Sequence, residues 1–197
     1  VVVSAVEGIT DLLLKTAYIA KKGTEEYVTL FSKVVLKHQD IIKSILEKEE
    51  QEVVLKTVDT YHEELENIFR GVSLIKELSR KTEDTILSYG ERISSLFMSK
   101  YLKATLLDAR EFIKTETFHG KHIVNFEITN QLISGQFTKK ENLYVVPGFI
   151  STDAKTGDIT NIGRGGSDYT ASILAAALDA SILEVWTDVD GFMTADP

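Results

Sequence analysis

The sequence has 197 residues, 43% of them hydrophobic, which is enough to bury a core for one large domain or a domain with a subdomain and excludes a disordered chain. Its 30 Asp and Glu against 22 Lys and Arg give a formal charge of −8, which argues against nucleic acid or a membrane surface and favours a small metabolite as partner. With no cysteine, disulfides and thiolate zinc sites are excluded, in keeping with a reducing cytoplasm, and no apolar run is long enough to span a bilayer.

The opening "VVVSA" reads as a buried strand already in progress, and the sequence stops at the turn "TADP"; with no Met at position 1 it reads as a piece of a longer protein. Gly8 breaks the strand, and Thr10 is positioned to cap a helix starting near Asp11. From Thr24 to about Leu46, Val28, Phe31, Val34, Val35, His38, Ile41, Ile42 and Ile45 recur at helical spacing with one buried face. The run "EKEEQE" interrupts, after which Val54, Val58, Tyr61, Leu65, Ile68, Phe69 and Val72 repeat the spacing and Gly71 ends the helix, predicting an antiparallel helical hairpin. A third helix, containing "SYGERISSLF", spans about Glu83 to Lys103. Beyond it "ATLLDAREFI" reads as strand and turn, "NLYVVPGFI" as a strand buried on both faces, "STDAKTGDIT" as a hairpin and "SILEVWT" as a last strand. Strands separated by helices imply a largely parallel sheet covered on both sides.

In such sheets ligands collect at the carboxyl ends of strands. The stretch "NIGRGGSDYTASILAAALDA" at 161–180 sets three glycines and an arginine before an alanine-rich helix, an open backbone beside a fixed positive charge that suits an anion. Arg164 can grip a carboxylate or phosphate with two parallel hydrogen bonds. The plainer reading is a tight turn with Ser167 as N-cap and Asp168 complementing the helix dipole. Glu91 suits an ammonium group, and its neighbours Ile86, Leu87, Ile93 and Leu96 point to partial burial against the alternative of a solvated helix residue. A pocket with both charges would suit an amino acid. "TDVDG" is an Asx turn without the further ligands of a calcium loop, and His119 and His122 read as surface histidines. No P-loop, nucleophile elbow or dinucleotide-binding glycine fingerprint is present.

Together, "SAVEGITDLLL", "SYGERIS", "GRGGSDYTASILAAAL" and "EVWTDVDGFMTADP" resemble, in that order and over nearly the whole chain, the catalytic domain of the aspartate kinases within the amino acid kinase superfamily. The last block is shared with glutamate 5-kinase and uridylate kinase relatives, whereas the arginine-glycine-glycine-serine-aspartate block and "SYGE" point to aspartate kinase. The resemblance implies a three-layer αβα sandwich around a mostly parallel, eight-stranded sheet, with the helical hairpin as an insertion. It implies a substrate-binding lobe over 1–150, including the helical segment 24–103, and the start of a nucleotide-binding lobe over 151–197. The implied reaction moves the γ-phosphoryl of MgATP to the β-carboxylate of L-aspartate. Thr10, Glu91 and Arg164 would hold aspartate with Ser4 and Ser167 nearby; Arg164 and Asp168 would be catalytic, Asp168 organising a lysine; and Thr187, Asp188 and Met193 would meet the nucleotide.

The family's lysine-bearing strand "KFGGTS" would precede Val1, and a nucleotide-contacting arginine and lysine would follow Pro197. A stretch lacking them is expected to lose catalysis before aspartate binding. Met193 stands where some members carry an aromatic residue. Regulatory domains or a fused homoserine dehydrogenase would lie downstream, and the full-length form is expected to be a homo-oligomer. The rival readings are a different kinase of the superfamily, such as glutamate 5-kinase, and a non-catalytic amino-acid-binding or assembly module.

Overall fold

The computed structural model describes residues 1–137 and 143–187, which form seven helices and seven strands. Strand β1 (Val2–Val3) leads into α1 (Ile9–Lys21), and three further helices follow: α2 (Glu26–Ile45), α3 (Lys48–Ile75) and α4 (Arg80–Tyr101). Then come β2 (Thr105–Leu106), α5 (Ala109–Phe112), β3 (Lys114–Phe118), β4 (Lys121–Val124), α6 (Phe126–Gln136), β5 (Tyr144–Pro147), β6 (Ile150–Asp153), β7 (Ile159–Asn161) and α7 (Gly166–Ala177). Strands β1, β5 and β2 form an all-parallel sheet with β5 central; the second sheet, ordered β4-β3-β6-β7, has β3 and β6 parallel and the outer pairs antiparallel. No described helix is long and apolar enough to cross a membrane.

Two apolar cores flank the strands, the layering expected for an αβα sandwich. One joins α1 to α4 through Ile9, Leu13, Val34, Val58, Leu65, Phe69, Ile86 and Ile93. The other lies under α5, α6 and α7 and is built on Phe112, Ile113, Ile133, Val146, Ile150 and Ile173. Phe149 packs against both. Helix α4 touches β1, β2, β5 and β7, so it is the element through which the helical part is set against the sheets.

The predicted hairpin of α2 and α3 is present, with corrected ends. The interruption falls at Leu46 and Glu47, the start of the acidic run, while the rest of the run is already helical: Glu49 and Glu50 sit in the first turn of α3, where carboxylates favour the positive end of the dipole. Gly71 does not end α3, which continues to Ile75 and stops at Lys76 in the left-handed region. Buried Leu65, Phe69 and Val72 carry the packed face across Gly71, and that packing outweighs the cost of about 1 kcal/mol for a mid-helix glycine.

The stretch "YVVPGFI" is not one strand. It crosses between sheets, β5 ending at Pro147 and β6 beginning at Ile150. Between them Phe149 takes φ 65°, and the Ile150 amide donates to the Gly148 carbonyl at 2.6 Å, a γ-turn. The predicted 151–160 hairpin is β6 and β7, its turn fastened by the Lys155 and Thr156 amides donating to Asp153 Oδ1 at 2.9 and 3.0 Å. The predicted strand in "SILEVWT" does not form: Ser181–Thr187 pairs with no described strand, and Ile182 and Trp186 are exposed. Its β-branched and aromatic pattern meets the local requirement for a strand, but without an adjacent edge the backbone has no ladder to join.

Candidate functional site

A cleft of about 280 Å³ opens at the carboxyl ends of β1 and β5, and Ser4, Thr10, Glu91, Arg164, Ser167 and Asp168 all line it. They come from four places in the chain: the loop after β1, the first turn of α1, the middle of α4, and the glycine loop together with the first turn of α7 that follows it. Gly163, Gly165, Gly166 and Phe149 complete the wall.

Two helices begin at the cleft. Helix α1 starts at Ile9 because Gly8 turns the chain with φ 71°; Thr10 is therefore not the cap but a first-turn residue. Helix α7 starts at Gly166 after Gly165, at φ 72°, so Ser167 is not the cap either. Neither start has a side-chain cap. Glycine caps leave first-turn amides without side-chain partners, although the Ile9 amide donates to the Val6 carbonyl at 2.9 Å, and both helix starts, with their partial positive charge, contribute residues to the same small cleft.

Glu91 is 4% exposed. Its Oε1 accepts weakly from the Ala5 amide at 3.4 Å, while Oε2 is buried and has no hydrogen-bond partner among the described residues. Burial pushes its carboxyl up to about 7, the two backbone hydrogen bonds pulling the other way. An unpartnered buried carboxylate of this kind favours a cationic guest. The same helix fixes the β1–α1 loop a second time, Ser94 donating to the Ser4 carbonyl at 2.7 Å. Close approach of α4 to the β1–α1 loop depends on Gly90, where a Cβ would fall 2.9 Å from that of Ala5.

Arg164 is exposed and has no ion-pair partner among the described residues. The loop that carries it is anchored on both sides. Upstream, the Ile162 amide donates to the Phe149 carbonyl at 3.0 Å and the Gly163 amide to Asn161 Oδ1 at 3.1 Å. Downstream, the Phe149 amide donates to Thr170 Oγ1 at 3.1 Å. Gly148 lies against α7: a Cβ there would be 2.6 Å from the Cα of Ser167.

Sequence reasoning missed Ser94, Gly148, Phe149 and Asn161. The "PG" before Phe149 signals a turn, but the left-handed conformation falls on Phe149 rather than on Gly148, and only the folded chain reveals what Gly148 is needed for. Of the nucleotide-side residues, Thr187 is exposed and does not line the cleft, while Asp188 and Met193 lie outside the described residues. His119 is exposed in the β3–β4 turn as expected, but His122 is not a surface residue. Its side chain is 11% exposed, and its Nε2 lies 3.1 Å from Asp84 Oδ2.

A second cavity of about 810 Å³ adjoins the first and shares Ser4, Ser167 and Asp168 with it; its remaining walls come from β1, β5, α7 and residues 180–186. It is the more apolar of the two. The described residues contain no cluster of three or more His, Cys, Asp or Glu arranged to hold a metal ion.

Comparison with known proteins accounts for the whole chain. The family model described as the Amino acid kinase family matches residues 1–197. Aspartokinase 1, chloroplastic, of Arabidopsis thaliana is 37% identical over 147 residues, 70% of this chain and 26% of that protein. Lysine-sensitive aspartokinase 3 of Escherichia coli (strain K12) is 32% identical over 209 residues, covering all of this chain and 44% of that protein. Among solved structures, E. coli aspartokinase III in complex with aspartate and ADP (R-state) superposes with a TM-score of 0.85 at 30% identity, over 96% of this chain and 42% of that one. The chain thus spans less than half the length of these relatives.

Proposed function

The chain belongs to the amino acid kinase family, and on that premise we propose that the protein carrying it is an aspartate kinase. It transfers the γ-phosphoryl of ATP to the β-carboxylate of L-aspartate, giving 4-phospho-L-aspartate at the head of lysine, threonine and methionine biosynthesis. The observation that carries this reading is the buried, half-satisfied carboxylate of Glu91 sharing a small cleft with the guanidinium of Arg164, which has no ion-pair partner among the described residues. An α-amino acid with an acidic side chain offers an ammonium for one and a carboxylate for the other. The resemblance to a relative solved with aspartate and ADP supports the same substrates.

In this reading Glu91 takes the ammonium, Arg164 a carboxylate, and Thr10, Ser4 and Ser167 supply hydroxyls around the acceptor. The amides at the start of α7 and the arginine neutralise charge that builds up as the phosphoryl group moves, so that the protein contributes positioning and electrostatics. Asp168, on the wall shared by the two cavities, orients a lysine supplied by another segment. We assign the nucleotide to the larger cavity, whose wall runs to Trp186, and Thr187, Asp188 and Met193 to its contacts by the resemblance alone. Bound ATP with Mg²⁺ supplies the phosphoryl group and neutralises its oxygens. Residues 1–150 then form the acceptor lobe and 151–197 begin the nucleotide lobe, with the glycine loop closing the acceptor cleft from the second. The absence of cysteine suits a cytoplasmic enzyme, and we expect the full-length form to be a homo-oligomer.

The test is ADP release by the full-length protein, coupled to a spectrophotometric readout, with aspartate, glutamate and uridylate as competing acceptors. Turnover with aspartate alone is the expected result. Turnover with glutamate alone would assign it to a glutamate kinase, and binding without turnover to an amino-acid-binding module.

A further inference from the structure

Asp84 is buried on α4 at 1% side-chain exposure, outside the cleft, and collects three partners from three elements. Arg80 Nε donates to Oδ1 at 3.1 Å, His122 Nε2 lies 3.1 Å from Oδ2, and Asn161 Nδ2 donates to Oδ1 across 77 residues of chain. Asn161, at the end of β7 and itself buried, turns its other face to the glycine loop: its Oδ1 accepts from the Gly163 amide at 3.1 Å. The next residue is Arg164.

Asp84 and Glu91 are seven residues apart, two turns of the same helix, so they share one face of α4 at a separation of roughly 10 Å along its axis. Helix α4 therefore carries the ammonium-binding carboxylate directly and, through Asp84 and Asn161, holds the loop that presents the arginine. We propose that the Asp84–Asn161 pair is a positioning and specificity-determining clamp: it sets the distance between Glu91 and Arg164 and thereby the length of acceptor the cleft accepts. This rests on the aspartate kinase reading above. Aspartate and glutamate differ by one methylene, which shifts the second carboxylate by little more than 1 Å. Only a loop fixed against the same rigid element as Glu91 can discriminate on that scale.

Asn161→Ala removes both of its side-chain bonds yet leaves Asp84 with Arg80 and His122, so the fold is retained, and a thermal melt checks this. In the full-length protein, kcat/KM is measured for aspartate and for glutamate. N161A should lower the preference for aspartate by roughly tenfold or more, within the 10–200-fold that one methylene is worth in a shaped pocket, while KM for ATP stays unchanged. Asn161→Asp, which sets two carboxylates together, should lower it further. The double variant D84N/N161D, which re-forms the contact with donor and acceptor exchanged, should recover most of the preference. Parent enzyme active on aspartate together with an N161A variant of equal preference would overturn the clamp alone. A parent with no aspartate turnover would overturn both the kinase reading and the clamp that rests on it. Loss of activity on both acceptors in equal measure, unrescued by the double variant, would make Asn161 a structural residue and overturn the proposal.

Discussion

His38 and His62 stack in the middle of the α2–α3 hairpin, their rings 14° from parallel and Nδ1 of the first 3.0 Å from Nε2 of the second. One ring donates and the other accepts, which requires the accepting ring to be neutral; a proton added to the accepting nitrogen would set two donors face to face. Burial depresses His38 to about 3, with His62 and Lys37 adding to the effect, and depresses His62 to about 4, with Asp59 opposing. Asp59 lies 4.0 Å from His62 Nδ1, too far for a hydrogen bond that would rescue the charge.

The pair makes the hairpin acid-sensitive. Both folded-state values lie below the unfolded value of about 6.5, so the stability they confer is complete above that pH and falls as the pH drops towards 4 and 3. Urea melts between pH 7 and 4 should show this loss, and the variant H38L/H62L, which replaces both partners with apolar groups, should flatten it. An unchanged slope in the double variant would assign the acid sensitivity elsewhere.

Glu91 has the opposite sign. Its carboxyl is raised to about 7, so its contribution to the stability of the free protein is complete below about 4.5 and is lost as the pH rises through 7. A substrate ammonium selects the carboxylate, so acceptor affinity should climb across the same range with release of a proton. Glu91→Gln should abolish that pH dependence and cost acceptor binding about 1.5–3 kcal/mol, the worth of a charge-assisted hydrogen bond, with ATP affinity unchanged. Calorimetry in two buffers of different ionisation enthalpy reads both effects.

Arg164→Lys keeps the charge and loses the planar fork. Because Arg164 is exposed and makes no ion pair among the described residues, the melting temperature should not move. Aspartate-dependent kcat/KM in the full-length protein should fall by about one to two orders of magnitude, since about 1.4 kcal/mol is tenfold. Unchanged aspartate binding in this variant would remove Arg164 from the acceptor site.

Gly148→Ala should harm both fold and site. Its methyl would meet the backbone of Ser167 at 2.6 Å, so the start of α7 must move. Overpacking of this kind costs about 1–3 kcal/mol, and the displaced helix start should raise the acceptor KM as well. A variant as stable as the parent would mean that α7 yields freely.

The site was legible in the sequence where its signals are local. Glycines, an arginine and a helix start stand together in "GRGGSD", and Glu91 sits among apolar residues at helical spacing, so both declared themselves without a fold. Thr10 was found as a residue but misread as a cap, because the left-handed turn that starts α1 belongs to Gly8, two positions earlier. His122 was misread because the carboxylate that buries it lies 38 residues away on α4, and Asn161 was missed for the same reason. Helices were legible in type and blurred at their ends, since a buried face such as Leu65, Phe69 and Val72 overrides a glycine that pattern alone takes as a stop. The strand expected at 181–187 failed for the complementary reason: a strand is half of a pair, and its sequence carries no record of the other half.

Phe149 belongs to both apolar cores by its ring, while its main chain ties β6, the glycine loop and α7 together at the floor of the cleft. Local opening on either side of the sheets therefore strips packing from the other, which couples the two halves through a seam that runs along the floor of the cleft. An occupant of the cleft closes that seam. Slowed amide exchange on binding should then spread into α1–α4 and into α6 and α7 alike, far beyond the residues the ligand touches.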